Sequence, residues 1–133
     1  MTKYLAIAFL ITGFLVGDAY GDEEVYYCAE TMTNGFAYNK KIKKYQPARI
    51  VTSKFKIKLD KAANRLELAK ENNKKDIYNC TTPANPKVVQ CHHFFDSFNF
   101  NINTGRFVSA YTFGYVYRDH DQNSVSYGTC DKF

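Results

Sequence analysis

The sequence predicts an all-β protein, an antiparallel meander of about eight to ten short strands that either closes as a barrel or folds as two layers. Three observations carry this expectation. Beyond its N-terminal segment the chain reads as short runs of alternating apolar and polar residues, separated by turn residues. It holds 11 Tyr and 11 Phe but no Trp in 133 residues, and aromatic side chains favour sheets because they pack across neighbouring strands. Its 4 cysteines, Cys28, Cys80, Cys91 and Cys130, contain no C-x-x-C pair, which speaks for a disulfide framework against a zinc ribbon or redox motif.

Residues 1–21 are expected to be a signal peptide. Lys3 precedes an apolar run from Tyr4 to Val16, a length that suits a signal h-region and falls short of a bilayer span. Ala19-Tyr20-Gly21 puts small residues where a signal peptidase reads, so cleavage is expected after Gly21. An uncleaved anchor is disfavoured by Gly17-Asp18 and the acidic residues that follow. Residues 22–133 then form a single β domain, able to bury about two-thirds of its unfolded surface. They contain no further run apolar enough for a transmembrane helix. A leader followed by an even cysteine count predicts export to the periplasm or beyond the cell.

The strands are justified in turn. Glu24–Glu30 and Gly35–Asn39 are the first two alternating runs, and Tyr45–Thr52 is the third, with Pro47 marking an edge or bulge. Lys54–Leu59 alternates strictly, with Phe55, Ile57 and Leu59 on one face and three lysines on the other. Arg65–Leu68 reads as its return strand. Leu59, Ala62, Ala63, Leu66 and Ala69 also fit helical spacing behind Asp60, so a short helix near 60–72 is the alternative. Asp76–Thr81 and Lys87–His93 flank a loop with Pro83 and Pro86. Ser97–Ile102 and Arg106–Thr112 form a hairpin about Asn103-Thr104-Gly105, where Gly105 can adopt the left-handed conformation. Tyr115–Arg118 is read as a resumed strand and Ser124–Cys130 as the last one.

Four cysteines allow three pairings. Cys28–Cys130 with Cys80–Cys91 is preferred, because the first ties the ends of the domain and the second closes the proline-containing loop. Charge is uneven. Residues 22–39 carry acids and no base, residues 40–75 are strongly basic, and residues 76–133 are nearly balanced within a net +5.

Several elements together resemble a group of small exported bacterial proteins of unknown function. They are Tyr26-Tyr27-Cys28, Gly35-Phe36, Tyr78-Asn79-Cys80, Cys91, Phe100 with Thr104-Gly105-Arg106-Phe107, Gly114-Tyr115 and the ending Gly128-Thr129-Cys130-Asp131-Lys132-Phe133. The resemblance covers nearly all of residues 22–133. It implies a bacterial periplasmic or secreted setting and carries over no activity and no catalytic residue.

No chemistry-bearing constellation stands out. Neighbouring residues on a strand face opposite ways, so His92 and His93 do not suit one metal ion. Arg118-Asp119-His120-Asp121 offers too few oxygen ligands for a hard cation and reads as a polar turn. Asp76 and Asp96 form no recognisable acid/base pair, and no serine stands in a G-x-S-x-G context. Asn79-Cys80-Thr81 matches a glycosylation sequon only formally. No catalytic residue, metal or cofactor is expected.

The basic block is the main functional signal. Lys54, Lys56 and Lys58 line one strand face, and Lys40, Lys41, Lys43 and Lys44 occupy a nearby turn flanked by Tyr38 and Tyr45. These lysines suit a polyanionic surface; a solvated face that blocks edge-to-edge pairing is the plainer reading. The expectation is therefore a non-enzymatic exported binding protein whose partner is an anionic envelope component or a protein. A secreted enzyme inhibitor is the alternative, since the Y-x-C opening is similar to that of periplasmic lysozyme inhibitors. A small hydrolase using His93 or His120 is a second alternative.

Overall fold

The computed structural model describes residues 23–81, 87–117 and 122–133. The expected signal peptide, Pro83, Pro86 and the Arg118–Asp121 segment lie outside the described residues. The chain forms strands β1 (Glu23–Asn39), β2 (Lys44–Ile50), β3 (Lys54–Asp60), β4 (Arg65–Lys70), β5 (Lys75–Thr81), β6 (Val88–His93), β7 (Asp96–Asn101), β8 (Arg106–Tyr111) and β9 (Asn123–Lys132), with one helical turn α1 (Gly114–Tyr117) between the last two. All pairings are antiparallel. Sheet order runs β2-β1-β3-β4-β5-β6-β7-β8-β9, and β9 returns to β1. The result is a closed eight-stranded barrel with β2 as the extra strand.

Closure and the extra strand both follow from the length of β1, which has 17 residues. On one edge β1 pairs first with β3, over Glu23–Ala29, and then with β2, over Thr33–Asn39. Its other edge pairs with β9 from Tyr26 to Phe36, with a bulge between Glu30 and Met32. Beyond Phe36, where the pairing with β9 ends, β1 and β2 rise past the barrel as an arm. The runs expected separately at Glu24–Glu30 and Gly35–Asn39 are thus one strand. Within that strand position 35 is glycine because β9 passes too close for a side chain: a Cβ there would lie 1.8 Å from the Asn123 carbonyl oxygen.

Alternation fills the barrel. Phe98, Phe100, Ile57, Leu59, Leu66 and Cys91 are fully buried, and the Phe55, Phe98 and Phe107 rings meet at centroid distances of 5.2–5.9 Å. Tyr26 meets Phe100 edge-on at 4.9 Å. At the end opposite the arm, Glu24 accepts hydrogen bonds from Tyr26, Lys61 and Lys132. Burial pushes its carboxyl up, but the bonds from Lys132, Tyr26 and Lys61 outweigh this and hold it at about 2.

The turns follow side-chain chemistry. Asp60 Oδ1 accepts from the Ala63 amide at 2.9 Å and Asn64 takes the left-handed conformation at φ 52°. That Asx turn reverses the chain, so the helical alternative over 60–72 is overturned: Leu66 and Leu68 are buried with Glu67 between them facing outward. In the β7–β8 hairpin Asn101 Oδ1 accepts from the amides of Asn103 and Thr104, and Gly105 has φ 69° as expected. The resumed strand expected at Tyr115–Arg118 is corrected to helix over Gly114–Tyr117. Tyr117 N–H donates to the Phe113 carbonyl at 3.0 Å, and Asn123 Oδ1 takes the Tyr115 amide at 2.8 Å.

Both preferred disulfides form. Cys28 and Cys130 face each other across the β1–β9 seam, and Cys80 and Cys91 across β5–β6. Their sequence separations are 102 and 11. Chain-entropy arguments give the long crosslink about 4.7 kcal/mol and the short one about 3 kcal/mol. The Cys28→Ala/Cys130→Ala double variant should therefore lose more stability than Cys80→Ala/Cys91→Ala in urea titration; the reverse order would show that the seam is held by its ladder alone.

Candidate functional site

The inward positions of the barrel change character toward the arm. Phe98 gives way to Asp96 in β7, Cys91 to His93 in β6, Tyr78 to Asp76 in β5 and Leu68 to Lys70 in β4. Phe107 gives way to Ser109 in β8, and Cys28 to Glu30 in β1. The solid aromatic core is therefore topped by a polar collar at one mouth. A cavity of about 130 Å³ lies in this collar, lined among others by Glu30, Thr33, Asp96, Ser109 and Ser126. Beside it a groove of about 870 Å³ runs between Lys70, Lys74 and Asp96 and the rings of Phe95, Phe113 and Tyr117.

Most collar groups satisfy one another. Ser109 and Ser126 share a 2.6 Å hydrogen bond. Glu30 Oε2 accepts from Thr33 Oγ1 at 3.1 Å, from the Ser53 amide at 2.7 Å and from Ser53 Oγ at 3.1 Å. Asp96 differs, because no described residue gives its carboxylate a hydrogen bond. Burial pushes the Asp96 carboxyl above its ordinary value, against the pull of Lys70, His93 and Lys74. The Tyr78 hydroxyl beneath it is likewise raised, by burial and then by Asp96 and Asp76.

An aromatic crest surrounds the mouth. The β6–β7 connection is the pair Phe94-Phe95, and Phe94 holds a left-handed φ of 51° while 89% exposed. Such a backbone is an outlier for a bulky side chain. Phe95 stacks on Phe113 at 3.9 Å, and Phe113 on Tyr117 at 4.7 Å. From the other side of α1, Tyr115 reaches the arm, 5.0 Å from Tyr45 and 6.4 Å from Phe36. Tyr38 joins them against Tyr45.

The lysines singled out from sequence form two groups. Lys40, Lys41, Lys43 and Lys44 occupy the tip of the arm, where Asn39 Oδ1 caps the turn and Lys43 has φ 53°. Lys54, Lys56 and Lys58 point outward from β3. Lys54 pairs with Ala29 and Lys44 with Asn39, so the groups lie about 30 Å apart along β1. Lys58 is neutralised by Glu23 at 3.2 Å. His92 and His93 face opposite ways. His93 Nδ1 lies 2.8 Å from the Ile77 carbonyl, with its ring against Tyr78 and Phe94. His120 lies outside the described residues, and no group suited to a metal ion occurs among the described ones. No helix among them is long and apolar enough to cross a membrane.

Sequence reasoning missed the collar and the crest. The signal was present, since the inward residue nearest the arm is polar in strand after strand, but reading it requires strand direction and register. In comparisons with known proteins no family model, no curated protein and no solved structure matches the chain.

A carboxylate whose folded-state pKa is raised opposes folding when ionised, and that cost disappears below its unfolded value of about 3.9. Asp96→Asn should raise Tm by a few degrees at pH 7, with the gain fading to nothing by about pH 3; a pH-independent difference would contradict this. Phe94→Asn should add about 1 kcal/mol in urea titration, because asparagine tolerates the left-handed backbone; a loss would show that the exposed ring is held by packing.

Proposed function

We propose that this chain is a non-enzymatic binding protein of an exported, oxidising compartment, periplasmic or secreted, that recognises a polyanionic surface through its cationic arm. The observation that carries the reading is uncompensated charge at the arm tip. From Thr31 to Leu59 the chain contains no carboxylate. Lys40, Lys41, Lys43 and Lys44 form no ion pair with a described residue, whereas Lys58, Lys61, Lys75 and Lys132 each meet a glutamate within 3.2 Å. Charge left unpaired on a projecting hairpin attracts anions at long range and costs little desolvation on contact. Arg49 lies on the outer face of the same hairpin, opposite Asn34. Lys54 and Lys56 extend the positive field down β3, while Lys58 adds little because Glu23 compensates it.

The two disulfides, which leave no free cysteine, support an oxidising destination.

Heparin serves as a test polyanion. Affinity should fall roughly 50–150-fold between about 50 and 200 mM salt, as expected for about four released counterions. Reversing Lys40, Lys41, Lys43 and Lys44 to Glu should abolish retention, and reversing Lys54, Lys56 and Lys58 should weaken it only partly. Full retention by the arm variant would reject the arm as the recognising element.

A further inference from the structure

Exposed apolar side chains gather at the end of the molecule that bears the arm. Phe94 is 89% exposed, Val116 75%, Tyr115 62%, Tyr117 58%, Ile42 55% and Phe95 49%. Ile42 sits among the tip lysines, and the others belong to the β6–β7 turn and α1. The described loops of the opposite end are polar or small, as in Lys61-Ala62-Ala63-Asn64 and Asn103-Thr104-Gly105. Phe133 there is also exposed, at 85%, but it stands apart with its ring edge-on to Tyr27 at a centroid distance of 5.6 Å, with no flanking cluster of exposed rings among the described residues.

Cations flank this crest on both sides. The tip lysines stand on the arm side, and Lys70 and Lys74 line the groove beside Phe94 and Phe95. Among the described residues the acids at this end are fewer: Glu30, Asp76 and Asp96 are half-buried in the collar, and Glu71 is exposed in the β4–β5 turn.

We infer that the arm end is a docking surface for an anionic lipid bilayer. The inference rests on the polyanion reading and names its partner. A soluble polyanion matches the lysines but offers nothing apolar to cover the crest. A bilayer carrying anionic headgroups supplies both: phosphates for the lysines, and an acyl boundary at the depth where tyrosine and phenylalanine rings settle. Phe94 strengthens the case. Neither burial nor backbone preference accounts for phenylalanine at a left-handed, nearly fully exposed position, and strained residues held in solvent are a mark of binding sites. Tyr115 joins the two halves of the surface, since it touches Tyr45 next to the tip and belongs to the same helical turn as Val116 and Tyr117.

The test is co-sedimentation of the purified protein with vesicles of phosphatidylcholine alone and with about one-quarter phosphatidylglycerol, at about 50 mM salt. The protein should bind the anionic vesicles at least about tenfold more tightly than the neutral ones. The Phe94→Asn/Val116→Ser variant should lose at least about tenfold in vesicle binding while keeping its heparin retention, with Tm confirming that it folds. The tip-lysine reversal should lose both activities. Heparin retention without vesicle binding would overturn the membrane inference and leave the polyanion reading standing, as would vesicle binding indifferent to the crest variant. Failure to bind either heparin or vesicles would overturn both. Self-association on gel filtration that the crest variant abolishes, without vesicle binding, would give the crest to a protein partner and overturn the inference.

Discussion

The carboxylate of Glu30 stands where strand β1 changes partners. Below it β1 pairs with β3; above it the same edge pairs with β2, and the opposite edge carries the bulge against β9. A partner switch leaves a gap in the ladder, and backbone groups in such a gap need other bonds. Glu30 and Ser53 fill it together. The Glu30 amide donates to the Ser53 carbonyl at 3.0 Å, while its side chain takes the Ser53 amide and hydroxyl. The connection from β2 to β3 is thereby fixed to β1, and the arm leaves the barrel at a defined point. The position of the tip lysines relative to the mouth depends on this junction.

The gradient inside the barrel has a related origin. An eight-stranded barrel is just wide enough for side chains to fill, and Phe98, Phe100 and Phe107 with both disulfides fill most of it. Polar inward residues are tolerated only near a mouth, where water or mutual hydrogen bonds satisfy them. Asp96 accepts no hydrogen bond from a described residue, and burial raises its pKa, so its ionised form opposes folding. Phe94, immediately before Phe95 in the turn into β7, adds a second local cost.

Much of this was legible in the sequence. Strict alternation in Lys54–Leu59 and the Asn103-Thr104-Gly105 turn give the hairpins, and the placement of cysteines near the ends and across a short loop gives the pairing. The helical alternative near 60–72 arose because two alanines in a turn fall at helical spacing; Asn64 and the Asp60 cap decide against it. Strand β9, expected over Ser124–Cys130, forms with an inverted pattern. Its apolar residues, Val125 and Tyr127, face outward, while Ser124, Ser126 and Gly128 face in, because β9 serves the polar collar and because β1 lies too close for a side chain at Gly128. The arm, the collar and the crest were not legible, since each is made by register between segments far apart in the chain. The tip lysines were found, but their distance from the β3 lysines was not, because nothing local reveals that two short runs are one long strand.

End-to-end closure also sets an order of events. The strand that completes β1 is β9, the C-terminal one, and Cys28 must wait for Cys130 across 102 positions. During folding β1 can find β2 and β3 early, yet its other edge stays open until β9 pairs with it. Until then the growing sheet is a curved ribbon with two sticky borders, and long-range pairing of this kind is slow. The β5–β6 crosslink has no such delay, because its cysteines emerge only 11 positions apart. The barrel therefore has an early clasp in its middle and a late clasp at its seam, and the interval between them is when the chain most needs protection from its neighbours.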